Sequence, residues 1–337
     1  MEEHILIDLK EILENIKDNH MVRRRNEQKE RFREYIKGEF GKRGYILEEN
    51  NQKTRSFLFL KNNSTNMVTN NNEFKIILTA HYDTPSKTYL TKLMNLAEKL
   101  NIFSKLLNNM PMVRMLISVT LLLTIIIVVP GFILSMKWND RVSDIYMDAI
   151  GILAALAFIQ LIFIPNKNNY NDNTSGILTL LAAADKLSNS KYKNDVLFLL
   201  TDNEERGLLG AKGIYKDKRY TFDNKPLVNV DCVGVGDTLI ISYLKVENLV
   251  HPFNSALINE LYNKLPNSII KKCLFKSFAS SDYKKFKKSN SISVEIYKNS
   301  VFNYFIPNVH TEKDNKINLD YIEVIAQAIA DTVNKGL

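Results

Sequence analysis

A chain of 337 residues with 45% hydrophobic side chains is long enough for one large domain or two ordinary ones around a sizeable core, which excludes a disordered or fibrous protein. The net charge of +8 comes from lysines scattered among asparagines, without the aromatic interleaving of a nucleic-acid face; no nucleic-acid partner is expected, and the basic surface suits anionic lipid instead. With only Cys232 and Cys273 there is no disulfide framework, and a reducing compartment is the default.

The first twenty residues, MEEHILIDLKEILENIKDNH, have an acidic amphipathic helix pattern and lack the apolar core of a secretion signal. Asparagine-rich KNNSTNMVTNNNE (61–73) reads as a hairpin tip between two strands, and KIILTA (75–80) as a buried strand. LTKLMNLAEKLNIFSKLL then sets Leu90, Leu93, Met94, Ala97 and Leu100 on one helical face with Lys92 and Lys99 opposite. An interfacial helix has this pattern, and so does an ordinary surface helix. From Met115 to Met136, 22 residues pass without a charge, enough to cross a bilayer core. After the loop KWNDRVSD, with Trp138 as an interfacial anchor, a second apolar run from Ile145 to Ile164 carries one charge, Asp148, near its start. The two runs are expected to form a transmembrane helical hairpin; a pair of buried helices in a soluble core is the competing arrangement. Two crossings return the chain to its starting side, so both flanks share a compartment. Lys99, Lys105, Arg114 and Lys167 around the hairpin, against Lys137 and Arg141 in its loop, place the flanks on the cytoplasmic side of a multi-pass membrane protein. Beyond it SGILTLLAAADKL (175–187) and IEVIAQAIADTV (322–333) read as helices, DVLFLL (195–200) and PLVNV (226–230) as buried strands, and the organisation is α/β.

Each apolar strand is followed at once by residues of the kind that bind metals. HYDTP after the first gives His81 and Asp83; NDNTSG after the hairpin gives Asp172; TDNEERG gives Glu204 and Glu205; Asp231 follows PLVNV, and PNVHTEKDN supplies His310. Two imidazoles with three of these carboxylates suit two borderline divalent ions sharing a bridging carboxylate, and zinc fits that mix best. Adjacent glutamates diverge on a strand or a helix but can converge in a turn at a strand end, so one of the Glu204–Glu205 pair can bind metal while its neighbour takes a proton. Taken singly, Asp172 could be a helix N-cap and Asp231 a turn residue. His4, His20 and His251 have no partners in this pattern, and Cys232 reads as a small buried side chain.

The ordered set His81-x-Asp83, Asp172-Asn173-x-Ser175-Gly176, Glu204-Glu205, Asp231 and His310-Thr311 resembles the co-catalytic zinc exopeptidases of metallopeptidase family twenty-eight, of the bacterial leucyl aminopeptidase and aminopeptidase Y type. The resemblance covers about Arg24 to Val333 without the hairpin, which is an insertion between the first two ligand motifs. It implies a three-layer α/β/α domain with a mixed, mostly parallel central sheet, built from 1–89 and 166–337, with the interfacial helix over 90–111 and the hairpin over 112–165. It further implies two zinc ions, one held by His81 and Asp231, the other by Glu205 and His310, with Asp172 bridging. Asp83 would orient His81, and Glu204 would be the general base that moves a proton from the attacking water to the leaving amine. Two positions depart from the family pattern: Tyr283 in SSDYKKF stands where a histidine is usual, and Asn315 where threonine is common, which bears on the substrate pocket and not on the metals.

The function implied is a membrane-anchored aminopeptidase acting on peptides close to the bilayer. A glutaminyl cyclase is the alternative among relatives of this fold, though His81 completes a second metal site and favours hydrolysis. A non-catalytic membrane scaffold is the third reading, opposed by a ligand set that is complete.

Overall fold

The computed structural model describes residues 8–55, 61–71, 73–86, 164–266, 270–299 and 304–337. The interfacial helix and nearly all of the hairpin expected over 90–165 lie outside them. Among the described residues no helix is long and apolar enough to cross a membrane.

The chain starts with α1 (Leu9–Asn15), capped by Asp8, whose carboxylate accepts the backbone N–H groups of Lys10 and Glu11 at 2.9 and 3.0 Å. A wider turn, Ile16–His20, extends it, and α2 (Asn26–Lys42) buries Phe32, Ile36 and Phe40 at four-residue spacing. Strands β1 (Leu47–Arg55) and β2 (Lys61–Thr69) form an antiparallel hairpin. This corrects the reading of 61–73 as a tip, because nine of those residues are strand. Their polarity hid it: buried Asn66 uses its amide on the backbone of Asp202 and Gly210, a job no apolar side chain could do.

The remaining elements are β3 (Ile76–His81), α3 (Ser175–Leu187), β4 (Val196–Thr201), α4 (Leu209–Ile214), β5 (Pro226–Val230), β6 (Thr238–Tyr243), α5 (Val246–Val250), α6 (Pro252–Lys264), β7 (Lys271–Lys276), β8 (Asn290–Asn299), β9 (Tyr304–Phe305) and α7 (Leu319–Asn334). The sheet runs β1-β2-β4-β3-β5-β8-β6-β7, with β9 on β8. Its centre, β4-β3-β5-β8, is parallel, but pairings at both flanks turn antiparallel. The sheet is therefore evenly mixed and not mostly parallel, since the edges are built by hairpins and returning strands that the buried central runs do not betray.

Alternation along the central strands supplies two cores. Ile76, Leu78 and Ala80 of β3 face the larger one with α1, α2, α3, α6 and α7, while Ile77 faces a smaller one with α4 and the aromatic residues Phe74, Phe222, Tyr283 and Phe286. The result is the expected three-layer α/β/α arrangement with one thin layer. All three central strands β3, β4 and β5 deliver their C-terminal ends to one edge, where such sheets keep ligands. The insertion leaves and re-enters at that edge through a narrow neck: Ser86 bridges Pro165, and the Asn166 N–H donates to Pro85 O at 3.1 Å.

Candidate active site

His81 closes β3 opposite Thr201 of β4 and is 2% exposed. Its Nδ1 lies 3.1 Å from the Asp83 carbonyl and 3.6 Å from the Asp83 carboxylate, which leaves Nε2 to face the site. Nε2 sits 3.3 Å from Asp172 Oδ1 and 3.5 Å from Asp231 Oδ1. Asp83 has a second task. Its two oxygens accept the backbone N–H groups of Glu204 and Glu205 at 2.9 and 3.3 Å, so one residue fixes the imidazole through its carbonyl and the turn that carries the glutamate pair through its carboxylate. That turn is steadied from behind by buried Lys29, bonded to Asp202 at 2.5 Å and Asn203 at 2.8 Å.

Asp172 sits in the turn Tyr170–Thr174 that leads into α3, and its backbone there is not helical. The N–H groups of Asn171 and Asp172 donate to the Asp314 carboxylate at 2.9 and 3.1 Å. Asn173 accepts from Gly176 and Cys232 and donates to Val230 O, while Ser175 Oγ accepts from the Val233 N–H. The Asp172 turn is thereby sewn to the Asp231 turn by side chains of its own motif. Gly176 is required for this approach, because a Cβ there would lie 2.4 Å from Val230 O. The Asp172–Asn173 peptide is cis.

Asp231 follows β5; its Oδ2 accepts the Ser281 hydroxyl at 2.6 Å. His310 adopts φ +58°, in the left-handed region, as do Asn203 (+54°) before the glutamates and Cys232 (+51°) after Asp231. Such conformations in residues other than glycine cluster where a site over-determines the backbone. His310 Nε2 lies 3.1 Å from Asp172 Oδ2 and 3.3 Å from Glu205 Oε2.

The geometry divides into two groups that share Asp172: His81, Asp172 and Asp231 on one side, Asp172, Glu205 and His310 on the other, each with its ligand atoms within 4.8 Å of one another. Asp172 turns one oxygen to each imidazole, as a bridging ligand must. Asp231 Oδ1 and Glu205 Oε1 are buried without a hydrogen-bond partner among the described residues, a costly state that a cation relieves. Two imidazoles and three carboxylates suit zinc. Glu204 joins a third grouping with His81 and Glu205, beside both sites.

The charges confirm how crowded the site is. Burial pushes Glu204 well above the usual carboxylate range, and Glu205, Asp282 and Asp231 add to the push. Glu205 is raised chiefly by burial too. For Asp172 burial works in the same direction, but the imidazoles on its two oxygens outweigh it and hold the group below the usual range. Burial would lower His81 and His310; facing carboxylates instead hold both well above an ordinary histidine.

All seven residues singled out from the sequence, His81, Asp83, Asp172, Glu204, Glu205, Asp231 and His310, thus meet in one place. The sequence does not mark the tethers Asp314, Ser281 and Arg23. Fully buried Arg23 donates to Tyr82 O, His20 O and Thr174 Oγ1 at 2.5, 3.0 and 3.1 Å, bracing the His81 loop against the Asp172 turn. Nothing in the sequence around Arg23, in the run RRR, separates it from its exposed neighbour Arg25. Tyr283 is a core residue whose hydroxyl donates to Ala279 O, and Asn315 is exposed; among the described residues no hydrogen bond ties either side chain to the ligands. His20 stacks on Tyr35, and Cys232 is buried as a small side chain.

Residues 164–333, just over half of the chain, match Peptidase family M28, the family of the resemblance. The matched segment contains Asp172, Glu204, Glu205, Asp231 and His310; His81 and Asp83 precede it and are brought in by the fold. No curated protein matches the sequence. Among solved structures, a Zn-dependent exopeptidase from Parabacteroides distasonis aligns at 13% identity over 97% of this chain and 96% of its own, with TM-score 0.62. A leucine aminopeptidase precursor from Bacteroides thetaiotaomicron aligns at 13% identity over 98% of both chains, also at 0.62. Porphyromonas gingivalis glutaminyl cyclase aligns at 12% identity over 98% and 99%, at 0.63, and at such identities the likeness is one of fold. From the family match, the chain belongs to Peptidase family M28 and is a metallo-exopeptidase hydrolase.

Proposed function

We propose that the protein is a two-zinc aminopeptidase that removes N-terminal residues from peptides. The observation that carries this is Asp172 reaching both histidines with separate oxygens, so that His81 and Asp231 would hold one ion and Glu205 and His310 the other. Bound there, the ions would supply Lewis acidity for the scissile carbonyl and lower the pKa of the attacking water. Glu204 takes the proton from that water and delivers it to the leaving amine; a carboxylate whose proton affinity is raised by burial suits both halves of the transfer. Asp83 keeps the His81 tautomer and the Glu204 backbone in register. The half-buried carboxylates give a free α-amine a counter-charge, which supports action at N-termini.

Mass spectrometry of the zinc-loaded protein with free and N-acetylated peptides tests this. Stepwise loss from free peptides only, reduced roughly 10²–10⁴-fold in Glu204→Gln while both metals remain bound, is expected. No change in any peptide with two metals bound would refute it. Glutaminyl cyclisation is the second reading, because glutaminyl cyclases share the fold. Loss of ammonia from an N-terminal glutamine peptide, without hydrolysis, would establish it.

We also infer that the uncharged run Met115–Met136 and its successor anchor the enzyme in a bilayer, with the peptidase domain on the cytoplasmic side. The neck at Ser86 and Pro165, close in sequence to Asp83 and Asp172, supports an active site near the lipid surface and membrane-associated peptides as substrates. Replacing 112–163 by a Gly/Ser loop checks this: continued pelleting with membranes and unchanged processing of membrane-bound peptides would refute it.

A further inference from the structure

The short 3-10 turn Asp282–Lys285 is tied to the site by hydrogen bonds. Ser281, just before it, bonds Asp231, and the Asp282 carboxylate accepts the Thr201 hydroxyl at the end of β4. A 3-10 turn has three residues per turn, so residues three apart share an edge. Lys285 therefore rises on the same edge as Asp282, one turn further out, while Tyr283 and Phe286 are buried in the smaller core. Its surroundings agree: the charges it feels are Lys212, Asp282, Lys287 and Glu204.

Lys285 is half-buried, and its ammonium makes no hydrogen bond or ion pair among the described residues. Burial, and after it Lys212, pull its proton affinity below that of an ordinary lysine. A partly desolvated cation beside a like charge is in a poor place unless an anion comes to it. Glu204 and Asp282 are not that anion, because neither contacts it and Asp282 is engaged by Thr201. Arg24, too, is near the site: Arg206 adds to the burial that lowers it, while Glu205 and Asp83 act the other way.

We propose that Lys285 receives a carboxylate of the substrate lying within one or two residues of the scissile bond. The carboxylate can be an acidic side chain or the C-terminus of a very short peptide. This deepens the aminopeptidase reading and rests on it. A compact ammonium on a flexible four-carbon arm can follow a carboxylate in either position.

Three matched pairs separate the sources. Leu-Glu-Ala-amide against Leu-Gln-Ala-amide tests the second side chain. Asp-Ala-Ala-amide against Asn-Ala-Ala-amide tests the first, and Leu-Ala against Leu-Ala-amide tests the terminus. For at least one pair, the acid-to-amide ratio of kcat/KM is expected to be about tenfold in the native enzyme. It should fall to near one in Lys285→Met, survive in Lys285→Arg, and invert in Lys285→Glu. Added salt should shrink it. Calorimetric Kd values for the same pairs on the zinc-loaded Glu204→Gln protein give the ratio without turnover. Binding preference without hydrolysis by the native enzyme would sink the aminopeptidase reading and leave the Lys285 contact standing. Ratios of one for all three pairs, or a preference untouched by Lys285→Met, would overturn the inference itself.

Discussion

Adding a single methyl group at Gly176 should disable one metal position without touching any ligand. An alanine Cβ there would lie 2.4 Å from Val230 O and 2.5 and 2.7 Å from the Asn173 amide atoms. Ordinary contacts of this kind begin near ~3.5 Å, so the two turns must part by roughly 1 Å. Neither neighbour can swing aside. Val230 O is backbone, and the Asn173 amide is held by Gly176 N, Cys232 N and Val230 O at 3.0, 3.2 and 3.0 Å. The strain costs about 1–3 kcal/mol, which for a domain of this size lowers Tm by about 2–4 °C per kcal/mol. The functional loss is larger, because Asn173 and Val230 adjoin Asp172 and Asp231, and these two carboxylates face His81 together. A displacement of that size is worth about 10²-fold in turnover. Thermal scans with and without zinc, zinc counting after dialysis, and peptide turnover read the three effects. Gly176→Ala should retain about one zinc, against the two expected for the native protein. Native zinc retention and turnover in the variant would refute the idea that the contact between these turns builds the His81 site.

Three further expectations come from the same geometry. Asp83→Ala frees His81 Nδ1 from the facing carboxylate and releases the Glu204 and Glu205 N–H groups, so zinc affinity should fall about 10–100-fold; competition with a colorimetric chelator measures it, and native affinity would refute the role. Zinc must displace the protons that facing carboxylates hold on His81 and His310, so affinity should weaken as pH falls, with net proton release seen by calorimetry in buffers of different ionisation enthalpy; zero release at pH 7 contradicts the pairing. Buried Glu295, raised to about 8 by burial and Asp231, stays protonated in the fold at neutral pH, whereas the unfolded chain ionises near ~4.3. Its stabilising contribution is full below that lower value and is lost as pH rises through about 8, a change of roughly 3–5 kcal/mol. Glu295→Gln should therefore unfold at higher urea than the native protein at pH 9 and equally at pH 4; identical midpoints at pH 9 would be the failing result.

The sequence made the ligands legible because each follows a strand whose apolar run is unmistakable: Ile76–His81, Val196–Thr201 and Pro226–Val230 begin and end within a residue of their expected limits. Helix Ser175–Leu187 coincides with its expected span, and 322–333 lies inside Leu319–Asn334. What stayed hidden was polar. Strand β2 reads as loop because its inward positions bond to backbone, and periodicity sees only hydrophobicity. Asp314 is hidden for a related reason. It reads as one more charge in HTEKDN, yet it is 2% exposed and accepts the N–H groups of Asn171 and Asp172. Whether a carboxylate points at a metal or at a backbone depends on the path of another loop, and no local pattern carries that information.

The tethers explain why a site assembled from five separate stretches can be as definite as one built on a single helix. Three ligand turns are each held by a side chain from another turn: Asp83 holds the glutamate pair, Asp314 holds Asp172, Ser281 holds Asp231, and Asn173 joins the last two. All but Ser281 spend at least one oxygen on backbone N–H groups, which would otherwise be left unpaired in a buried setting. The same bonds that fold the loops therefore aim the ligands, and the two ligand groups are joined through Asp172, which belongs to both. The sheet needs to supply only the strand ends. Positioning finer than that comes from asparagine, serine and aspartate side chains, which is why a likeness of fold at 12–13% identity cannot by itself separate a peptidase from a cyclase.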